Sequence, residues 1–413
     1  CSSDLVLLAG GIPVPIYPPF RMHMLEAYAR TEARILNSAE VRILVTFDRA
    51  ENLSRSLQTF VPSLRLVTTV DELTSAEELQ HPFVAKADSF AFIQYTSGST
   101  SDPKGVLLSH ANLMANIRAY GAAINVQPDD VAVSWLPLYH DMGLIGMWFG
   151  SLYFGVPLIL LTPFTFLNRP ERWLWAIHYH RGTISAAPNF AYELCTRKIN
   201  PAHLEGLDLS SWRIAANGAE KIYPNTLEEF NKKFAHFGLK PTTLLPVYGL
   251  AESTVGLAIP PLDRGYLIDY VDRQKFEEER LALPSSPENA LAFVCCGKAL
   301  AGHEMRIVDD NGVVLPERHV GILQFRGPSS MQGYYNNPQA TQAIYHDGWY
   351  DSGDLAYLAN DEVYITGRLK DLIIKAGRNL YPVEIEEMVG TIDGVRQGCV
   401  AAFGLTDTKR GTE

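Results

Sequence analysis

Thr96-Ser97-Gly98-Ser99-Thr100-Ser101-Asp102-Pro103-Lys104-Gly105 is the stretch on which the reading of this chain turns. An apolar run, Phe90 to Tyr95, precedes it, and a helical pattern follows from Ala111, with Ser109 as a candidate N-cap. Glycine lets the backbone approach an anion closely. Hydroxyls can donate to phosphate oxygens, and Lys104 adds a positive charge. No Ser or Thr follows a Gly-Lys pair, so the string is not a Walker A loop. It reads as a phosphate-gripping turn that follows a strand and precedes a helix.

The surrounding rhythm agrees. Ile43 to Phe47, Val131 to Trp135, Leu158 to Leu161 and Leu244 to Tyr248 are short apolar runs with strand character. Between them lie helical patterns at Ala111 to Ala123, Pro170 to His180 and Pro224 to Phe237. Such alternation predicts an α/β fold with two parallel-rich sheets. From about Ala299 the pattern changes to strands joined by Gly/Asp/Asn turns, predicting a β-barrel-like region over 299–366. The large domain is expected over 1–369. Lys370 is the expected hinge, and 370–413 the beginning of a smaller α+β domain, with a helix starting at Pro382.

The 413-residue chain is 47% apolar and carries a net charge of −11. That charge disfavours nucleic acid as a partner. Its five cysteines form no CxxC pair and read as reduced thiols of a cytoplasmic protein. The uncharged run Met142 to Leu167 is long enough to span a bilayer. Gly155 and Pro157 divide it, however, so it reads as a buried helix–strand pair. Both ends look cut, with no initiator Met at the start and polar residues at the stop.

Further motifs follow in a set order. They are Pro13-Val14-Pro15-Ile16-Tyr17-Pro18-Pro19, Trp135-Leu136-Pro137-Leu138-Tyr139-His140-Asp141-Met142-Gly143, Asn217-Gly218-Ala219-Glu220, Tyr248-Gly249-Leu250-Ala251-Glu252-Ser253-Thr254, Tyr350-Asp351-Ser352-Gly353-Asp354-Leu355 and Gly367-Arg368-Leu369-Lys370-Asp371. With the Thr96 string, they resemble the motif series of the adenylate-forming superfamily. That group includes acyl-CoA ligases, fatty acyl-AMP ligases, luciferases and peptide-synthetase adenylation domains. Ser352 stands where threonine is usual, which keeps the hydroxyl.

The resemblance implies ATP and Mg2+ as cofactors and a role for each motif. Thr96, Ser97, Gly98, Ser99, Thr100 and Lys104 would cradle the outer phosphates. Glu252, with Thr96, would hold Mg2+ through hard oxygen ligands. Tyr248 would stack on adenine, with Asn217, Gly218, Ala219 and Glu220 as the other wall and Gly249 and Ala251 beside them. Asp354 would accept from the ribose hydroxyls, Arg368 would donate to ribose or phosphate, and His140 would stand near the entry of an acyl tunnel. His140, Lys104 and Glu252 are the candidate catalytic residues. Taken singly, Tyr248 also fits a core aromatic, Asp354 a turn former and Glu252 a helix cap.

The stretch Asn189 to Leu194 lacks an inward carboxylate for an amino-acid ammonium group, and the apolar run Met142 to Leu161 suits an acyl chain. Burial there gains about 0.8 kcal/mol per methylene. A medium- or long-chain fatty acid is the expected substrate. The long connection 255–296 resembles the insertion of fatty acyl-AMP ligases, which hand the acyl group to an acyl carrier protein. An acyl-CoA ligase with a long loop and a non-catalytic binding module of the same fold remain as rivals. In this superfamily a lysine of the small domain bridges carboxylate and α-phosphate. No matching Pro-x-x-x-x-Gly-Lys string occurs here, so it is expected beyond Glu413, and the chain as given should bind ATP but form adenylate slowly.

Overall fold

The computed structural model describes residues 2–18, 25–75, 81–96, 103–371, 373–375, 378–380, 382–390, 392, 394–395 and 400–404. At its centre is a five-stranded parallel sheet, ordered Leu158–Leu160, Ala132–Ser134, Ile184–Ala187, Ile214–Asn217 and Leu244–Pro246. Ala132–Ser134, Ile184–Ala187 and Leu244–Pro246 are buried along their whole length. That explains why these segments read as unbroken apolar runs rather than alternating ones. Helices Glu171–Tyr179, Asn189–Lys198 and Pro224–Phe234 pack on the sheet through Trp173, Tyr192, Phe230 and Phe234, all fully buried. Trp135 lies flat on Phe166, with ring centroids 3.9 Å apart. Asn217 and Pro246 are register partners at the carboxyl ends of adjacent strands. The turns that leave those strands therefore emerge side by side, at the edge where open α/β sheets bind ligands.

A three-stranded sheet holds Gly333–Tyr334, Lys104–Ser109 and Phe90–Thr96 in that order, all antiparallel. The phosphate-loop string thus differs from the expected strand–loop–helix unit. Lys104 opens a second strand, paired in register with Thr96, and the helix His110–Ala123 begins only after it. Val106, Leu107 and Leu108 are buried, and burial of this short run makes the second strand. Ser109 does cap the helix: its hydroxyl accepts the Asn112 N–H at 3.2 Å, and Asn112 Oδ1 accepts the Ser109 N–H in return. Ser97, Gly98, Ser99, Thr100, Ser101 and Asp102 lie outside the described residues.

An antiparallel five-stranded sheet follows, from Glu304–Val308, Gly321–Arg326, Trp349–Ala359, Tyr345–His346 and Glu362–Arg368. Its hydrogen-bonded path is open among the described residues rather than closed into a barrel. Segment 255–296 is a folded unit. The hairpin Ile268–Asp272 with Ala290–Val294 carries the helix Arg273–Glu279, N-capped by Asp272. Val271, Phe276 and Phe293 bury it against Leu355 and Tyr357 of the antiparallel sheet. Beyond Arg368 come a short turn, Leu369–Asp371, the hairpin Ile373–Lys375 with Arg378–Leu380, and the helix Pro382–Gly390.

The apolar run after Met142 forms a π-helical segment, Met142–Phe149, and a short helix, Gly150–Phe154. It ends at Gly155 with φ 66° and resumes as the edge strand Leu158–Leu160. Among the described residues no helix is long and apolar enough to cross a membrane.

Candidate active site

Two tyrosine–carboxylate pairs organise the site. In the first, Tyr248 leaves the last parallel strand and its hydroxyl donates to Asp354 Oδ2 at 2.6 Å. Asp354 is held in register with Arg368 across neighbouring antiparallel strands, and Arg368 Nε stands 3.6 Å from its Oδ1. The Ser352 hydroxyl donates to Leu323 O at 2.8 Å and accepts the Asp354 N–H at 3.1 Å, fixing the turn that carries the carboxylate. Burial pushes the Asp354 carboxyl up, while Tyr248 and Arg368 pull against that rise.

The second pair lies on the phosphate-loop side. Tyr334 hydroxyl donates to Glu252 Oε1 at 2.7 Å, and the Met331 N–H donates to Glu252 O at 2.9 Å. Tyr334 pairs with Val106 in the strand that Lys104 begins, and Lys104 Nζ stands 5.2 Å from the centre of the Tyr334 ring. Lys104, Tyr334 and Glu252 therefore form one chain of contacts. Burial pushes the Glu252 carboxyl up; the Tyr334 bond opposes this, and the charges of Asp141 and Asp354 add to it. The charge of Asp354 is thus felt at Glu252, which links the two pairs electrostatically.

The Asn217 turn supplies the facing wall. Ala219 adopts φ 66°, a left-handed conformation that is uncommon outside glycine. Glu220 turns back to accept the Phe190 N–H at 2.5 Å. Asn217 is fully buried; its amide donates to Asn189 Oδ1 at 3.4 Å, and its own Oδ1 lacks a partner. Gly249 is required by close approach, because a Cβ there would sit 1.8 Å from Val255 O. Ala251 is buried in the short turn Ala251–Ser253 that carries Glu252. A cavity of about 750 Å3 is lined by Ala219, Glu220, Tyr248, Gly249, Asp354, Arg368 and Lys370. Its volume is in the range of small-molecule sites.

His140 stands apart from that cavity. Its ring is 53% exposed and its Nδ1 lies 2.8 Å from Asp141 Oδ1, a contact that raises its pKa. The carbonyl of neighbouring Tyr139 accepts the Gln94 amide at 3.1 Å, tying this turn to the strand Phe90–Thr96. Asp141 is the link between His140 and Glu252. Thr96 is at the end of its strand, opposite Lys104.

The family model for AMP-binding enzymes matches residues 6–335. The chain belongs to the AMP-binding enzyme family. It is 34% identical over 397 residues to the medium-chain-fatty-acid–acyl-carrier-protein ligase JamA of Moorena producens, covering 92% of this chain and 67% of that one. Its fold matches a chain from structural and functional studies of fatty acyl-adenylate ligases from E. coli and L. pneumophila. That match has a TM-score of 0.91 and 35% identity, over 95% of this chain and 71% of that one. A fatty acyl-adenylate ligase from L. pneumophila in complex with acyl adenylate and pyrophosphate matches with a TM-score of 0.77 and 32% identity, over 89% of this chain and 64% of that one. The chain spans 63%, 70% and 67% of the length of three curated relatives. Membership makes it an adenylate-forming ligase by family.

Tyr334 is the site residue that the sequence did not reveal. It belongs to none of the motifs quoted above, and 82 positions separate it from Glu252. Only the pairing of its strand with Lys104–Ser109 brings it in. As for a metal, no group of three or more His, Cys, Asp or Glu residues suited to one occurs among the described residues. The donor set instead fits a cation that arrives with phosphate oxygens. Such a cation needs one or two carboxylates, and Glu252 lies in a site crowded with negative charge.

Proposed function

We propose that this protein activates a medium- or long-chain fatty acid with ATP, releasing pyrophosphate and forming acyl-AMP, and then passes the acyl group to the phosphopantetheine thiol of an acyl carrier protein. The observation that carries the reading is the convergence of two hydrogen-bonded pairs, Tyr248–Asp354 and Tyr334–Glu252, on one acidic site beside Lys104.

In this reading Tyr248 and the turn Asn217–Glu220 sandwich adenine. Asp354 accepts from the ribose hydroxyls; a carboxylate held by one tyrosine bond keeps lone pairs free for them. Arg368, on the exposed side of Asp354, donates to ribose or the α-phosphate. Thr96, the loop 97–100 and Lys104 hold the β- and γ-phosphates, so that the α-phosphorus faces the fatty carboxylate. Mg2+, held by Glu252 with Thr96 nearby, would offset charge on the triphosphate. His140 stands at the acyl entry and Lys370 at the hinge to the small domain. The carboxylate oxygen attacks the α-phosphorus, a new P–O bond forms, and the bond to the β-phosphate oxygen breaks with its electron pair leaving on pyrophosphate.

The choice of acyl acceptor is supported by the segment 255–296, which is built as a packed hairpin and helix rather than a loose loop, and by the naming of the similar JamA as a carrier-protein ligase. Use of ATP and of a phosphopantetheine carrier supports a cytoplasmic location for the reaction. The test is to incubate the full-length protein with ATP, Mg2+ and a series of fatty acids, adding either CoA or a phosphopantetheinylated carrier protein. Fatty-acid-dependent pyrophosphate release with acyl-carrier product is expected. Rapid acyl-CoA formation would overturn the acceptor, and absence of pyrophosphate release would overturn the activity.

A further inference from the structure

Immediately after Glu252 the backbone passes through a γ-turn. Thr254 has φ 68° and ψ −64°, and the Val255 N–H donates to Ser253 O at 2.8 Å. A β-branched residue at positive φ in this turn is strained, and it persists only where its surroundings over-determine it. Here the surroundings are polar side chains with almost no solvent contact. Asn116, fully buried on the helix His110–Ala123, donates to Ser253 O at 3.1 Å, to Gly256 O at 2.8 Å and to Ser329 Oγ at 3.0 Å, and accepts the Gly256 N–H at 3.0 Å. The Thr254 hydroxyl donates to Ser329 O at 2.8 Å, and His303 Nε2 lies 2.6 Å from Ser329 Oγ.

One turn earlier on the same helix face, Asn112 donates to Pro328 O at 2.8 Å and accepts from the Gln332 amide at 3.1 Å. The stretch that these asparagines clamp is the one that holds Glu252, through the Met331 N–H and the Tyr334 hydroxyl. The same helix continues from the strand that Lys104 opens. Among the described residues, the Asn116 side chain bonds to the turn after Glu252 and to Ser329, and not to its own helix. A residue placed only to support the helix would not be wired this way.

We propose that Asn116 is a positioning residue for the metal–nucleotide complex: through the Thr254 turn and Ser329 it sets where the Glu252 carboxylate stands relative to Lys104. This rests on the assignment of Glu252 to Mg2+ made above. A side chain that fixes a metal-ligating group changes metal affinity by about 10–100-fold when it is removed. It does so only through that group, so the effect vanishes once the ligand itself is gone.

The test is a double-mutant cycle of Asn116→Ala and Glu252→Gln in the full-length protein. Binding of a non-hydrolysable ATP analogue is measured by calorimetry with Mg2+ and again with EDTA. The gain in affinity that Mg2+ confers should fall by about 10–100-fold in each single variant, the double variant should be no weaker than Glu252→Gln, and the EDTA affinity should not move. Additive losses, or an undiminished Mg2+ gain in Asn116→Ala, would overturn the proposal. A scaffolding role alone would lower the melting temperature while leaving the Mg2+ gain intact, and would overturn it too. If Glu252→Gln itself keeps the full gain, the assignment of Glu252 fails, a result distinct from failure of the coupling. Should Asn116→Ala not fold, Ser329→Ala, which removes one of the contacts through which Asn116 acts, carries the same expectation.

Discussion

Replacing Tyr334 by Phe removes one hydroxyl and leaves the ring on which Lys104 rests. The Glu252 carboxyl then loses the hydrogen bond that opposes the rise caused by burial. A hydrogen bond to a charged acceptor contributes about 1.5–3 kcal/mol, so without it Glu252 should titrate higher still in the variant. Glu252 keeps some solvent contact, which favours the lower figure. The sign follows from the carboxylate being the working form. Raising its pKa depletes that form from the acid side, so the acid limb of kcat/KM for ATP should move to higher pH. Above both values the variant and the parent should converge. The assay is coupled pyrophosphate release with saturating fatty acid, followed from acid to alkaline pH. An acid limb that stays in place, or a loss equal at every pH, would refute the role given to this bond. Stability moves in the opposite sense. A carboxyl whose folded pKa lies above its unfolded value stabilises the fold below the unfolded value, and that contribution is lost as pH rises through the folded one.

Asp354→Asn keeps the shape beside Tyr248 and removes the charge. The KM for ATP should rise about tenfold or more, as expected for lost charge-assisted bonds, with the KM for fatty acid unchanged; equal rises in both would defeat the ribose assignment. Gly249→Ala places a methyl 1.8 Å from Val255 O, a backbone atom that cannot swing away. It should destabilise by about 2–3 kcal/mol or more in urea unfolding, whereas a silent variant would mean the turn yields. Arg264→Ala strips the 7%-exposed Glu362 carboxylate of its 2.9 Å partner. Fully buried pairs cost 3–5 kcal/mol to break, and the 30% exposure of Arg264 lowers the expectation to about 1–3 kcal/mol. Adding Glu362→Gln should recover most of that loss, and no recovery would show that the guanidinium matters by packing rather than charge.

The parallel sheet was legible because its strands are buried on both faces and so appear as plain apolar runs such as Leu244–Pro246. The helix after the phosphate loop was legible through Ser109, whose cap is a local signal. The strand Lys104–Ser109 was not, because its short apolar run gives no periodicity to count. In the segment 255–296 the hairpin of Ile268–Asp272 with Ala290–Val294 was not legible. The strand Ile268–Asp272 carries Asp269, which reads as a turn residue. Its carboxylate is in fact met by Arg318 at 3.0 Å and by the Tyr357 hydroxyl at 2.7 Å. Partners 49 and 88 positions away cannot be seen in a local window. The candidate carboxylates Glu252 and Asp354 were picked out by motif, but Tyr334, which bonds Glu252, and Asn116, which bonds the turn after it, were not, since those contacts exist only across strand and helix pairings.

The choice of tyrosine at both carboxylates has a physical logic. Glu252 and Asp354 are each raised by burial, and each is raised further by neighbouring carboxylates, Glu252 by Asp141 and Asp354, and Asp354 by Asp371. A lysine or arginine in hydrogen-bond contact would relieve that strain by neutralising the charge, and would leave nothing for an incoming cation or hydroxyl to meet. A phenol is neutral over the working pH range; burial and the Glu252 charge push the Tyr334 hydroxyl further up, so it remains a donor. It orients a carboxylate and lowers its titration without cancelling its charge. The cations present are kept at a distance. Lys104 lies over the Tyr334 ring rather than on Glu252, and Arg368 stands 3.6 Å from Asp354. In the reading proposed above, a metal–nucleotide complex would bring positive charge to Glu252 and hydroxyl donors to Asp354, meeting the charge that the tyrosines leave uncancelled.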